Sequence, residues 1–415
     1  MNREAIAQLA WRNVWRNKRR TILTLATIVV GCGMIILNNA LAKGGHDGMI
    51  NDAAITSAGH IQVHRAGYWA SRTIDYAFQV PDGLTAALGR DRRIAAHTER
   101  IHAAGLLAFG ANTSGGQIQG VDPAREPAVT NLHTWVLPGG RYLTAEDSTH
   151  AIVGETLAKN LGAKVGDVVS IISQGLDGSI AAEKLTVVGV FRSGNPEYDQ
   201  TLLVMPIEQA RATFSMERYI HAIVVRLADI KHDAAVIDSL RASLPETERS
   251  SIEVLGWDTL MPELVQFIAL DDISAYIFDF ILFLVVAFGI LNTVQMAVFE
   301  RTREFGVMLA VGTRPGQVVH MVLIESAIIS TLGVIAGGIA GFLASLYFKL
   351  RPLDFSDYSN EMATIGVSMT KLPADATAAN IAVTAVITLA LTIVFAYFPA
   401  RRASKLKPVE AIRQL

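Results

Sequence analysis

Four stretches of this chain are dominated by apolar residues: 21–41, 273–299, 318–348 and 379–398. A bilayer core of about 30 Å takes about 20 helical residues to cross, and each stretch is long enough to do so as a helix. Between the first and second stretches the pattern changes. Residues 60–64 (HIQVH), 117–121 (QIQGV) and 184–190 (KLTVVGV) alternate with period two, as half-buried strands do. Residues 222–227 (AIVVRL) read as a buried strand, and 84–92, 155–160, 207–213 and 233–244 read as helices. The pattern therefore predicts a membrane α-helical protein with four transmembrane helices and a large α+β domain, residues 44–272, inserted after the first helix. That insert is long enough for a core of its own.

Composition supports this reading: 51% of the residues are hydrophobic, more than in ordinary soluble chains. Charge orients the helices. Arg3, Arg12, Arg16, Lys18, Arg19 and Arg20 precede the first stretch, and Arg301, Arg303 and Arg314 lie between the second and third. Arg401, Arg402, Lys405, Lys407 and Arg413 follow the fourth. Short basic loops stay on the cytoplasmic side, so both termini are expected inside, with 44–272 and 349–378 on the far side. Ahead of the first span, Ile6, Leu9, Ala10 and Val14 share a helical face beside Trp11 and Trp15, which predicts an amphipathic interfacial helix over 1–20. The run that follows ends in Ala40-Leu41-Ala42, yet it is about 21 residues long, and cleaved signals carry cores of about 7 to 15. A retained span is expected. The net charge of −2 gives no pull toward nucleic acid.

Within the spans, Asp279 and Glu325 are carboxylates in an apolar setting, a default mark of function. Gly333, Gly337, Gly338 and Gly341 form overlapping G-x-x-x-G spacings suited to close helix contact, including contact between copies. In the large domain, residues 151–171 read as strand, short helix and strand, and a hairpin follows. Its tip is Gln174, Gly175, Leu176, Asp177 and Gly178, with Asp177-Gly178 as the tight-turn pair.

Catalytic signatures are missing. There is no Gly-Lys dipeptide and hence no phosphate-cradling P-loop, no H-E-x-x-H, no G-x-S-x-G and only one cysteine, Cys32. The chain is expected to bind no metal or cofactor and to catalyse nothing by itself, so any nucleotide hydrolysis would have to occur on a separate chain.

Three segments carry a family resemblance: AWRNVWRNKRRTILT (10–24), ERTREFGVMLAVGTRPGQ (300–317) and PARRASKLKPVEAIR (399–413). With the four-span layout, they resemble FtsX-like permeases of the type VII, macrolide-exporter-like ABC transporters, in layout nearest the lipoprotein-releasing permeases. The resemblance implies spans at 21–43, 273–299, 318–348 and 379–398, a loop at 349–378 and a cytoplasmic tail at 399–415. The domain would hold a porter-like βαβ part and an inserted β-rich part over about 121–214. Residues 300–317 would form a coupling helix. Its charged turn (Glu300, Arg301, Arg303, Glu304), the apolar Phe305, Met308 and Leu309, and Gly306 and Gly312 would dock an ATPase dimer, supported by Arg401 and Arg402. Helix order and family geometry place a lateral gate near Asn38, Asn39, Phe278, Asp279 and Phe283. The tip hairpin stands where relatives present a hook to a periplasmic carrier. The implied function is ATP-driven extraction of lipoproteins or another outer-leaflet amphiphile at a bacterial inner membrane. It would need membrane lipids and a second permease chain, identical or paralogous, with a lipoprotein carrier or adaptor as further partner. Two alternatives stand beside it: a permease that transmits force to a cell-wall hydrolase or sensor, and a drug or peptide exporter with a periplasmic adaptor.

Overall fold

The computed structural model describes residues 3–355 and 371–407. Its principal elements, in chain order, are α1 (Arg3–Arg16), α2 (Lys18–Ala53), β1 (Ile61–Arg65), α3 (Asp82–Arg90), β2 (Ile94–Phe109), β3 (Asn112–Val121), β4 (His150–Gly154), α4 (Glu155–Leu161), β5 (Val168–Gln174) and β6 (Ile180–Phe191). There follow β7 (Leu202–Pro206), α5 (Ile207–Thr213), β8 (Ala222–Leu227), α6 (Asp233–Ser243), β9 (Ile252–Gly256), α7 (Pro262–Glu300), α8 (Thr302–Ala310), α9 (Pro315–Leu350) and α10 (Ala378–Ser404). Of the predicted loop 349–378, residues 356–370 lie outside the described residues. So do residues beyond 407 in the predicted tail, Arg413 among them, and the side chains of Ile6 and Leu9.

The chain forms two units. A helical unit takes the residues up to His46, Phe267–Phe355 and those from Lys371 on; a mixed unit takes Asp47–Gln266. In the helical unit, α2, α7, α9 and α10 are long and apolar enough to cross a bilayer. Their ends are set by local chemistry. Pro315 stands in the first turn of α9, where a missing N–H costs nothing, and the Gln317 side chain accepts from the Arg314 amide at 3.1 Å. Thr377 caps α10 by accepting from the Asn380 amide.

The glycines of α9 are used within the chain. A methyl at Gly333 would stand 2.7 Å from Ile28, one at Gly337 2.9 Å from Cys32, and one at Gly341 2.9 Å from Ile36. Small residues therefore let α9 lie against α2, and the face predicted to allow contact between copies is occupied by the chain itself. Beside this seam, α10 buries Thr384, Thr388 and Thr392 at four-residue spacing. Thr392 meets Ser330 at 2.8 Å and Thr388 meets Cys32 at 3.3 Å, which satisfies hydroxyls that lipid could not.

The mixed unit is built on β2. Its first half pairs with β8, and β8 pairs with β1, which pairs with β9. Helices α3 and α6 cover this part through Leu84, Leu88, Val236 and Leu240. The second half of β2 pairs with both β3 and β5. Because β3 also pairs with β7, β7 with β4, β4 with β6 and β6 with β5, six strands close into a ring. Closure leaves this part no free sheet edge. Ile101, Leu107, Ile118, Leu185 and Phe214 are among the side chains of its core. The β-rich part expected from about 121 thus starts earlier, since β3 and the outer half of β2 are staves of the ring. A period-two pattern shows that a strand exists but not which neighbour it takes.

Candidate functional site

Arg301 breaks the helical path between α7 and α8, and its side chain turns inward. Its Nη1 donates to Glu325 Oε2 at 2.8 Å, its Nε donates to Glu304 Oε2 at 2.9 Å, and its guanidinium lies 5.1 Å from the Phe305 ring centre. Glu325, on α9, also accepts from Arg20 Nη2 at 3.3 Å, while Arg20 Nη1 donates to Glu300 Oε2 at 3.1 Å. Arg16 pairs with Glu304. Three guanidiniums and three carboxylates from α1, α2, α8, α9 and the end of α7 therefore form one neutral network. At its centre Arg301 is 8% and Glu325 6% exposed. Charges so placed need partners, because water is no longer there to solvate them. Burial pushes the Glu304 carboxyl up, but the Arg16 and Arg301 guanidiniums outweigh it and hold the group below its ordinary range.

This geometry divides the predicted docking residues. Arg301, Phe305 and Gly306 face the chain's own interior, with Phe305 only 1% exposed. Arg303, Val307, Ala310, Val311 and Gly312 face outward, and Met308 and Leu309 are half-buried. Gly312, at φ +100°, ends the helix in the left-handed region, which lets the Thr313 amide reach the Met308 carbonyl at 3.0 Å. Arg401 and Arg402 are exposed in the last turn of α10, between the buried Ala400 and Ala403.

Toward the other ends of the predicted spans 21–43 and 273–299, amides of α2 meet carboxylates of α7. Asn38 donates to Asp279 Oδ1 at 3.2 Å and Asn39 to Asp279 Oδ2 at 2.7 Å. His46 lies 2.8 Å from Asp271 and 3.8 Å from Asp272. The structure thus brings three of the predicted gate residues together. Phe278 is exposed beside them, and Phe283 is half-buried one turn along α7.

The hairpin tip forms where Asp177-Gly178 predicts it, with Gly178 at φ +79°. Asp177 accepts from the Ser179 amide at 3.0 Å and hydroxyl at 2.6 Å, and these bonds hold its carboxyl below the ordinary range. The tip is not a free arm: the Leu176 amide donates to the Phe214 carbonyl at 2.8 Å, and Gly175 is buried.

Elsewhere in the mixed unit, the Tyr68 hydroxyl lies 2.6 Å from His102 Nδ1, and His221 Nδ1 accepts from the His102 amide at 3.0 Å. His64 stacks on Trp69. Burial pushes His60 and His221 down to about 4, and burial with the Arg72 charge pushes His64 to about 3. Among the described residues no group of three His, Cys, Asp or Glu side chains is placed to hold a metal ion. These imidazoles are packing elements, neutral at ordinary pH.

Comparison with known proteins decides the family. The MacB-like periplasmic core domain matches residues 21–243 and the FtsX-like permease C-terminal matches residues 276–408. The chain belongs to this permease family. The transmembrane protein LolC of the lipoprotein-releasing system of Neisseria meningitidis serogroup B is 26% identical over 74% of this permease and 75% of its own length. LolC of Xylella fastidiosa is 23% identical over 96% of both chains. The macrolide export ATP-binding/permease protein MacB of Pasteurella multocida is 24% identical over 98% of this permease, which spans 60% of MacB's length. The periplasmic region of MacB from Actinobacillus actinomycetemcomitans superposes with a TM-score of 0.37 at 15% identity, covering 52% of this chain and 95% of that one.

Sequence reasoning left two contributors to this permease's network without a role. Arg16 and Arg20 read only as part of a basic flank. Each is separated by more than half the chain from the carboxylate it meets, and no local pattern links them. The signal that was present is Glu325, an acid in an apolar helix, which demands a buried cation without naming it.

Proposed function

We propose that this chain is the permease subunit of an ATP-driven ABC transporter that extracts a lipidated protein or similar amphiphile from the outer leaflet of a bacterial inner membrane. Hydrolysis would be supplied by a separate pair of ATPase chains carrying ATP and magnesium. Both termini and α8 lie in the cytoplasm, and the mixed unit lies in the periplasm with its four-stranded portion as the porter-like part. Two permease chains, identical or paralogous, work on one ATPase pair.

The observation that carries the reading is the two-sided α8. Its inner side is anchored by Arg301 and Phe305, whereas Arg303, Val307 and Val311 stand uncovered, Val311 at 83% exposure. A short helix with a fixed inner face and an apolar, basic outer face suits a groove on a soluble partner. Likeness to LolC along nearly the full length favours lipoprotein release as the work done. A second reading, export of a drug or peptide with a periplasmic adaptor, is favoured by the hairpin tip, which is tied to Phe214 rather than free to hook a carrier.

Mass spectrometry of the nucleotide-free complex from its native membrane tests this. An ATPase chain with acylated peptide supports extraction, and an ATPase chain with an adaptor and no acylated cargo moves the reading to export. Absence of any ATPase chain overturns both.

A further inference from the structure

The chain itself links α8 to its neighbours unequally. Arg301 joins α8 directly to the end of α7, and residues 311–314 join it to α9. No peptide link runs from α8 to α2, whose first turn lies far away in sequence. The side chains of α1, α2 and the residue between them reach the loop through Arg16, Asn17 and Arg20. These ties differ in weight. The Arg16–Glu304 pair is exposed, with 57% and 43% of the two side chains accessible, and such pairs contribute little. The side chains of Arg20 and Glu325 are 13% and 8% accessible, and that of Arg301 is 9%. Both oxygens of Glu325 are used, one by each arginine. Arg20, Arg301 and Glu325 line one side of a small pocket whose other walls include the apolar Ile290, Val294 and Ile329. Separating either guanidinium would leave a buried carboxylate short of a partner, which is strongly opposed.

We infer that Glu325 is the positioning residue that makes α2, α8 and α9 move as one body, passing a displacement of α8 to α2 through Arg301, Glu325 and Arg20. This rests on the reading that an ATPase docks on α8. It assigns the outer side of α8 to capture of the ATPase and the inner side to transmission of its motion, and the two tasks are separable by substitution.

The test is a pulsed electron-spin distance measurement on the complex in nanodiscs, in a Cys32→Ser background, with spin labels at Leu23→Cys on α2 and Thr302→Cys on α8. The distance is read without nucleotide and after vanadate trapping. With Glu325 present, one narrow distance is expected that trapping leaves unchanged. Glu325→Gln should broaden the distribution about twofold or more and make it shift on trapping, while Glu325→Asp, which keeps the charge, restores much of the width. If Glu325→Gln does not reach the membrane, Arg20→Gln replaces it and should broaden the distribution in the same direction. A substituted protein that keeps the narrow, unmoved distance overturns the inference, as does separation of α2 from α8 on trapping when Glu325 is intact. Docking is scored separately in the same preparations. Val307→Asp with Val311→Asp should lose the ATPase chain yet keep the narrow nucleotide-free distance; retention of the ATPase there counts against docking alone, because the nucleotide-free distance still judges the rigid body.

Discussion

The two ends of the α2–α7 pair are closed by different chemistry. At one end, three arginines and three carboxylates from five parts of the chain form a partly buried ion network around Glu325. At the other, Asn38, Asn39 and His46 of α2 meet Asp279, Asp271 and Asp272 of α7, and the pairing involves two helices alone. Removing one partner of a buried ion pair costs about 3 to 5 kcal/mol, whereas a hydrogen bond between membrane helices averages about 0.6 kcal/mol. Separation is therefore opposed more strongly at the first end than at the second.

The comparison breaks most readily at Arg301. Arg301→Ala leaves Glu325 and Glu304 short of a partner and should lower the stability of the purified protein by about 3 kcal/mol, read as a fall in its thermal unfolding midpoint in detergent. Unchanged unfolding would mean that the network is decorative.

Acid should separate the two units next. The imidazoles of His60, His64 and His221 are held well below their ordinary value near 6.5, so the unfolded chain binds protons that the folded mixed unit does not. The stability they confer is complete above about pH 6.5 and falls as pH drops toward 4, by on the order of 3 kcal/mol for each group. Glu304 is also depressed, but from a carboxylate's starting point, so its share is lost only below about pH 4.5. Hydrogen exchange followed from pH 7 to 4.5 should show the mixed unit opening while amides of α8 hold.

The seam between the two ends comes third. Gly337→Leu puts a side chain where a methyl already stands 3.0 Å from the Val29 carbonyl oxygen. It should cost about 1 to 3 kcal/mol and force α9 away from α2, measurable as new accessibility of Cys32 to a thiol reagent. Smallest is Asn39→Ala, expected to cost about 1 kcal/mol or less and to raise the cross-linking of an amphiphilic photoprobe to α7 near Asp279. A loss as large as that at Arg301 would erase the distinction between the ends.

How much of this was legible in the sequence differs from element to element. The four long apolar helices announce themselves because crossing a bilayer takes a length that no local accident imitates. The hairpin tip does so because Asp177-Gly178 supplies its own turn geometry. The strand Ala222–Leu227 stands where its continuous apolar run predicts it, and the helix Ile207–Thr213 stands where one was read. Less was legible wherever a partner lies far along the chain. The alternation at 117–121 marks a strand but is silent on β7, so closure of the ring and its earlier start were hidden. The amphipathic pattern of α8 shows that Phe305 seeks cover, not that Val298 and the other residues of the helical core provide it. The same pattern suits a docking plug and an inward anchor, and the burial of Phe305 and Arg301 shows the anchor. The G-x-x-x-G spacing of α9 likewise specifies a close neighbour without saying that it is α2 of the same chain.

The central claim is that α8 shows one face to an ATPase and the other to its own chain. Photocross-linking side chains placed singly at Val311 and at Phe305, and activated in native membranes, test it most directly. The account predicts that the probe at 311 captures a P-loop ATPase chain and the probe at 305 captures this chain alone. An ATPase adduct from 305, or none from 311, would contradict it.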